Sequence, residues 1–469
     1  MGECEIVKGS KNLAEMVKKI EQDFWISKDK LREIANDMEL NMINGLKDED
    51  SSPIKMLVSY VDSLPTGNEE GRFYALDLGG TNLRVMQVKL QGNKPINIKS
   101  ESNMVPPELK VGKSHELFDY IAENVKLAVK SEEAAHFEVT PGQKRELGFT
   151  FSFPVHQARI NSGTLLNWTK DFNIQDAIGK DVVEQVGTAL KKQGLDMDVT
   201  ALLNDTVGSL AGGRFYNKNV VAAVILGTGM NAAYVEQSEN ILKEYGKPPA
   251  SGQMVINTEW GNYNSQYLPL TDYDRAIDHD SPNQQKQILE KMLSGRYLGE
   301  IVRRILLHLA EDGALFGNSV PPKLRQRNAL GTEIVSEMHG DKSTDLSLVG
   351  EKLRGVLQIQ NVTKEEKQIV YKICEIVATR GARLSAAAIL SILKRLGKDK
   401  KHEEETVIAV DGSLFAKYEQ FNSCLKRTLL EELLDDEEVS KKVVLKQFTD
   451  ASGIGAALVA ASHSAYSCH

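Results

Sequence analysis

Cysteine is scarce in this chain. The four present, Cys4, Cys374, Cys424 and Cys468, form no C-x-x-C pair. That pattern excludes a disulfide framework and a thiolate zinc site, and it reads as free thiols in a reducing compartment. No apolar run reaches the roughly 18 residues that a membrane span needs. The opening MGECEIVKGSKNLAEMVKKIEQDFW carries acidic residues early and lacks the apolar core of a signal peptide. Gly2 raises N-myristoylation, but Ile6 stands where Ser or Thr is wanted. There is no basic block, and a formal charge of -8 disfavours a nucleic-acid partner. Also missing are the P-loop, HExxH and G-x-S-x-G signatures. The nine histidines show no ligand spacing. What remains is a chain of 469 residues, 41% hydrophobic and 26% charged, long enough for at least two sizeable cores.

The stretch Phe73 to Leu90, FYALDLGGTNLRVMQVKL, organises that chain. An apolar run ends at Asp77, Gly79-Gly80-Thr81-Asn82 forms a turn that glycine's freedom at positive φ would ease, and a second strand follows. A dinucleotide fingerprint would show G-x-G-x-x-G and run into a helix, so a Rossmann fold is rejected. The turn instead offers bare amide N–H groups, a Thr hydroxyl and Asn82 to phosphate oxygens. Asp77 beside it suits Mg²⁺ held through water. Val220 to Glu236 repeats the plan with Gly227-Thr228-Gly229 and Asn231, and Gly79 and Gly227 lie 148 positions apart. Two such units imply two similar halves with phosphates between their tips.

In chain order, residues 11–63 read as two or three amphipathic helices. A helix follows over 114–130 with Ser114 as its N-cap, then a strand from Glu146 to Pro154. Residues 164–172 form a loop exposing Thr169 and Lys170, 175–193 are helical, and a short strand runs from Val199 into Asn204-Asp205-Thr206 and a small-residue helix. Met254 to Gly261 is a strand ending near Glu259. Residues 284–313 form one long helical stretch with Glu290, and 320–345 a surface loop. Thr363 and Glu366 make a capping box for a helix towards Gly397. A further strand, 406–414, enters Asp411-Gly412-Ser413, and Asp450 to Ser462 opens a final small-residue helix.

Four apolar runs therefore end on small polar or acidic residues: Asp77, Asn204-Asp205, Glu259 and Asp411. Ligands of open α/β sheets bind beyond such strand ends. Asp205 is the candidate general base, because a carboxylate can orient an acceptor hydroxyl and take its proton. Thr206 is available to cap the following helix in its place. Lys170 supplies a point charge, and Glu259 and Glu290 could accept from vicinal hydroxyls. The plainer readings are a helix cap for Asp205, a surface lysine for Lys170 and a solvated helix face for Glu290.

The segments LDLGGTNLR (76–84), FTFSFP (149–154), NWTKDF (167–172), LLNDTVG (202–208), ILGTGMNAAY (225–234), INTEWG (256–261) and VDGSLF (410–415) resemble, in order, the motifs of the hexokinase family. GRYLGEIVRR (295–304), ATRGARLSAA (378–387) and SGIGAALVAASHS (452–464) resemble its plant branch. The resemblance implies an α/β, two-domain actin-like (ribonuclease H-like) fold that closes over a hexose. The small domain would be 73–203 plus 453–469, and the large domain 1–72 plus 204–452. By the resemblance Asp205 takes the proton of the sugar 6-hydroxyl, and Ser152, Thr169, Lys170, Asn204, Asn231, Glu259 and Glu290 hold the sugar. Asp77, Gly79, Gly80, Thr81, Asn82 and Arg84 form the first phosphate loop, Gly227, Thr228 and Gly229 the second. Asp411, Gly412, Ser413, Ser452 and Gly453 lie against the adenosine. Mg-ATP is the expected cofactor, its Mg²⁺ held through water near Asp77 and Asp205 with no direct protein ligand.

Three positions depart from the family pattern: Asp171 and Ala451 replace the usual glycines, and Ser413 replaces a glycine common in plant members. If the first two need positive φ, each carries strain, and the Asp171 charge would weaken sugar binding. The plant anchor segment is absent, which implies a cytoplasmic protein, expected as a monomer with hexose and ATP as partners. Phosphorylation of glucose, fructose or mannose at the start of glycolysis is the leading expectation. A weakly active sugar sensor and an actin-like switch acting through protein partners are the alternatives, the latter having no use for the sugar set.

Overall fold

The computed structural model describes residues 2–92, 96–133, 144–317, 319–448 and 450–464. Cys468, the tail 465–469 and the side chain of Cys4 lie outside the described residues. Two sheets carry the architecture. One has five strands in the spatial order Asn97–Met104, Asn82–Gln91, Glu70–Leu78, Arg145–Phe151, Met197–Leu203. The other runs Leu57–Val58, Gln253–Asn257, Met230–Gln237, Val220–Leu226, Thr406–Asp411, Val443–Lys446. With the two-residue edge strand set aside, both read third, second, first, fourth, fifth in chain order. In each, the first three strands are antiparallel and the last two parallel to the first. The repeat visible in two hairpins extends to whole sheets.

Helices Asp205–Tyr216 and Ala451–Ser462 cross between the sheets, and their small residues let the backbones touch. A Cβ on Gly208 would sit 2.5 Å from the Ser452 carbonyl oxygen, and Gly212 and Gly455 abut Ala451 and Gly208 as closely. The core around this crossing draws Ala75, Met86 and Ala201 from one sheet and Ala223, Ala233 and Val407 from the other. Each sheet also has its own core on its outer side.

The capping box of Thr363 and Glu366 starts helix Lys364–Arg395, and Gly397 follows it at φ +66°. This helix corrects the expectation that no long apolar run exists. It is long and apolar enough to cross a membrane, but 94% of its apolar window is buried inside the fold. Its buried Arg380 is held bidentately by Asp274 at 2.7 Å, and Arg383 pairs with Glu432 at 2.7 Å, so neither charge is left alone.

Other boundaries shift for packing reasons. Only two helices, Gly2–Phe24 and Lys28–Lys47, precede the first sheet, and of 175–193 only Val182–Lys192 is α-helical. Ser114 does not cap its helix: it is the first helical residue, the Lys113 carbonyl before it accepts from the Glu116 and Leu117 amides, and its own hydroxyl donates to Asp176 at 2.9 Å. The region 320–345 is not all loop. Helix Thr332–His339 buries Val335 and Met338, and the Thr332 hydroxyl accepts from the Gly299 amide at 2.9 Å. The stretch 284–313 is two helices, Ile288–Leu293 and Leu298–Glu311, with a break that belongs to the site.

Candidate active site

Both hairpin tips lie at strand ends facing one cleft. The first is closed by the Gly79 amide donating to the Asn82 carbonyl at 3.0 Å, the second by Gly227 to Gly229 at 3.0 Å. None of Gly79, Gly80, Gly227 and Gly229 has positive φ, which corrects the conformational reason given for them. Close approach is what requires glycine at two of them. A Cβ on Gly80 would meet Lys170 Cβ at 2.9 Å, and one on Gly229 would meet Glu290 Oε2 at 2.8 Å. The same logic breaks the helix at 294–297. A Cβ on Gly295 would stand 2.7 Å from the Gly227 oxygen, so the turn lies flat on the second tip, with Gly295 and Arg296 amides donating to Gly227 and Thr228 at 2.8 and 3.0 Å.

Strand Met197–Leu203 delivers Asn204 and Asp205 between the tips. Asn204, not Thr206, caps the helix, since its Oδ1 accepts from the Thr206 amide at 3.0 Å and the Thr206 hydroxyl at 2.6 Å. Asp205 Oδ1 also accepts from the Thr206 amide at 2.9 Å, leaving Oδ2 turned to Lys170 Nζ at 3.7 Å. Lys170, at φ +55°, also donates to the Ser152 carbonyl at 3.0 Å. Its loop is fixed by Trp168, which stacks on Phe172 at 5.3 Å and packs against Phe151 and Phe153. Thr169 sits half-buried beside it, its carbonyl accepting from the Phe172 amide at 3.1 Å.

Across the cleft, Glu259 adopts the left-handed conformation at φ +53°. Its Oε1 accepts from Asn231 at 3.1 Å and from Asn257 at 2.9 Å. Glu290 Oε2 accepts from the Met230 amide at 2.9 Å. Asn231 further reaches Asn204 at 3.3 Å, so Asn204, Asn231, Asn257 and Glu259 form one hydrogen-bonded group. Burial raises both Glu259 and Glu290 above the usual carboxylate range, the former also pushed by Asp205.

Beside the first hairpin tip, burial pushes Asp77 up to about 6, opposed by Arg84 and reinforced by Asp205. Ser452 donates to Asp77 at 3.1 Å, and Gly453 packs against Met86. Gly412 takes φ +103°, a conformation that glycine tolerates, while its amide donates to Asp411 at 2.6 Å. Asp411 too is raised by burial. Ser413 opens a short helix without positive φ, so that departure carries no strain. Neither does Ala451, a helical residue; the left-handed position is Asp450, at φ +54°, which also pairs with Arg84 at 2.6 Å. Asp171 does have positive φ, +70°, but its charge is not bare. Arg296 donates to it at 2.7 Å.

Among the described residues no group of three His, Cys, Asp or Glu could cage a metal. Asp77, whose charge is made costly by burial and by the nearby Asp205, fits with Asp205 a cation held chiefly by phosphate and water. Asn257, Arg296 and Asp450 were missed by sequence reasoning. Only Asn257 left a signal there, two residues before Glu259 in the INTEWG segment; the strand itself ends at Asn257, short of Glu259.

Two like-folded sheets whose Gly/Thr hairpins face a carboxylate-lined cleft define an actin-like, two-domain sugar kinase. Family models described as hexokinase match residues 16–215 and 221–462. The chain is 52% identical over 456 residues to Hexokinase-2 of Solanum tuberosum, covering 96% of this chain and 91% of that one. To Hexokinase-1 of Spinacia oleracea it is 54% identical over 443 residues, covering 93% and 88%. A hexokinase of Schistosoma mansoni solved with glucose superposes with a TM-score of 0.87 at 36% identity, over 97% of this chain and 99% of that one. The chain belongs to the hexokinase family, an enzyme that phosphorylates hexoses.

Proposed function

We propose that the protein transfers the terminal phosphoryl group of Mg-ATP to the 6-hydroxyl of a hexose, glucose first and then fructose or mannose, as the entry step of glycolysis. The observation that carries this reading is Asp205 and Lys170 3.7 Å apart between the two hairpin tips. Asp205 orients the hydroxyl and accepts its proton as the new P–O bond forms. Lys170 lies where negative charge gathers on the transferred group. Ser152, Thr169, Asn204, Asn231, Glu259 and Glu290 hold the remaining hydroxyls. Asp77, Gly79, Gly80, Thr81, Asn82 and Arg84 with Gly227, Thr228 and Gly229 cradle the phosphates, and Asp411, Gly412, Ser413, Ser452 and Gly453 flank the adenosine. Bound Mg²⁺ would neutralise phosphate charge beside Asp77 and Asp205.

In this reading 73–203 with 453–469 closes on 1–72 with 204–452, excluding water so that ATP is not simply hydrolysed. The small-residue helix crossing supports a hinge there. The protein would act as a monomer, and the free thiols of Cys374 and Cys424 suit a reducing, cytoplasmic setting. The test is ADP release with Mg-ATP, with and without glucose, beside Asp205→Ala. Glucose-dependent release abolished in the variant supports the reading. Glucose binding without turnover by the unmodified protein would replace it with a regulatory sugar binder.

A further inference from the structure

We propose that Asp171 and Arg296 form a latch across the cleft, a positioning pair that holds the sugar loop against the second phosphate loop when the protein closes. The proposal rests on the hexose-kinase reading of this cleft. The two residues lie 125 positions apart and belong to different cores. Asp171 is anchored on the first, where Trp168 stacks on Phe172, the Trp168 ring N–H donates to the Ile174 carbonyl at 2.8 Å and the Asn173 amide to Lys110 at 2.7 Å. Arg296 is anchored on the second, its amide bonded to Thr228 and its neighbours Tyr297 and Leu298 packed into the core of the larger sheet. Each end is held by its own core, so the guanidinium–carboxylate contact at 2.7 Å reports how the two halves meet.

The backbone points the same way. Asp171 occupies φ +70°, where glycine would rest without strain. That strain is present whether the cleft is open or closed, so it bears on folding stability and not on sugar affinity. The ion pair exists only when the halves meet, so it bears on affinity. Closing without sugar raises the fraction of binding-competent protein, and apparent affinity rises with that fraction. With the side chains 70% and 38% exposed, the pair is worth no more than other surface bridges, about 1.5- to fivefold in affinity.

Calorimetric glucose titration without nucleotide, on the full chain, tests this with Asp171→Asn, Arg296→Gln and the double variant. Each single variant is expected to weaken glucose binding about 1.5- to fivefold, and the double no further, because the second change removes a contact already lost. Affinity of the unmodified protein should fall with added salt while that of the variants stays flat. Unchanged affinities, additive losses, or a salt dependence shared by all four proteins would overturn the latch. Failure of the unmodified protein to bind glucose would instead overturn the reading beneath it.

Discussion

Asn231 and Glu259 bind each other twice. The Asn231 amide group donates to Glu259 Oε1 at 3.1 Å, and the Glu259 backbone N–H donates to Asn231 Oδ1 at 3.1 Å. The second bond holds Glu259 in its left-handed conformation, and the first aims its carboxylate, together with Asn257. Asn231→Ala should therefore weaken glucose binding about tenfold or more, the scale of a lost hydrogen bond to a charged group. Titration calorimetry measures it, and wild-type affinity would show that Glu259 positions itself.

Asp205→Ala should lower kcat by about 10²- to 10⁴-fold, the usual contribution of a positioned base, while glucose still binds. Loss of binding along with turnover would make Asp205 a binding residue and leave the base unassigned.

Asp77 makes the stability of the ligand-free protein sensitive to pH. Its folded value of about 6 lies above the ordinary value of 3.8. Stability is then full below the unfolded value and falls as pH rises through the folded one, because the unfolded chain ionises first. In the ligand-free protein Asp77→Asn should raise the melting temperature at neutral pH, corresponding to about 2 kcal/mol after allowing for access of water to the cleft. The gain should fade towards pH 4, and activity should drop. A gain independent of pH would point to packing, not to the buried charge.

Ala451→Gly, although it restores the usual family residue, should bring no gain in activity. Ala451 is helical and buried, so glycine costs about 0.5–1 kcal/mol in backbone entropy. Thermal unfolding reads the loss, and a more stable variant would contradict the helical assignment.

The four strand-end acids, both hairpins and the Thr363 capping box depend on neighbours within a few positions, so local pattern revealed them. The break at Ser294 to Tyr297 was read through, because the local Ser294-Gly295 signal is weak beside the helical pattern on either side of it. It exists because Gly295 must lie against Gly227, far away in the chain. The helix at 332–339 was missed for a similar reason: its few apolar residues gain their value only against helices Leu298–Glu311, Ser347–Val356 and Lys364–Arg395, which pack around it.

By itself, then, the sequence determined the repeat, the strand-end carboxylates and the family, all written in short segments whose chemistry is local. Only the tertiary structure decided why the loop glycines are needed, which residue caps the helix at Asp205, and that Asp171 has a partner. Close approach and ion pairing depend on separation in space, and between Asp171 and Arg296 lie 125 positions of chain that no local pattern spans.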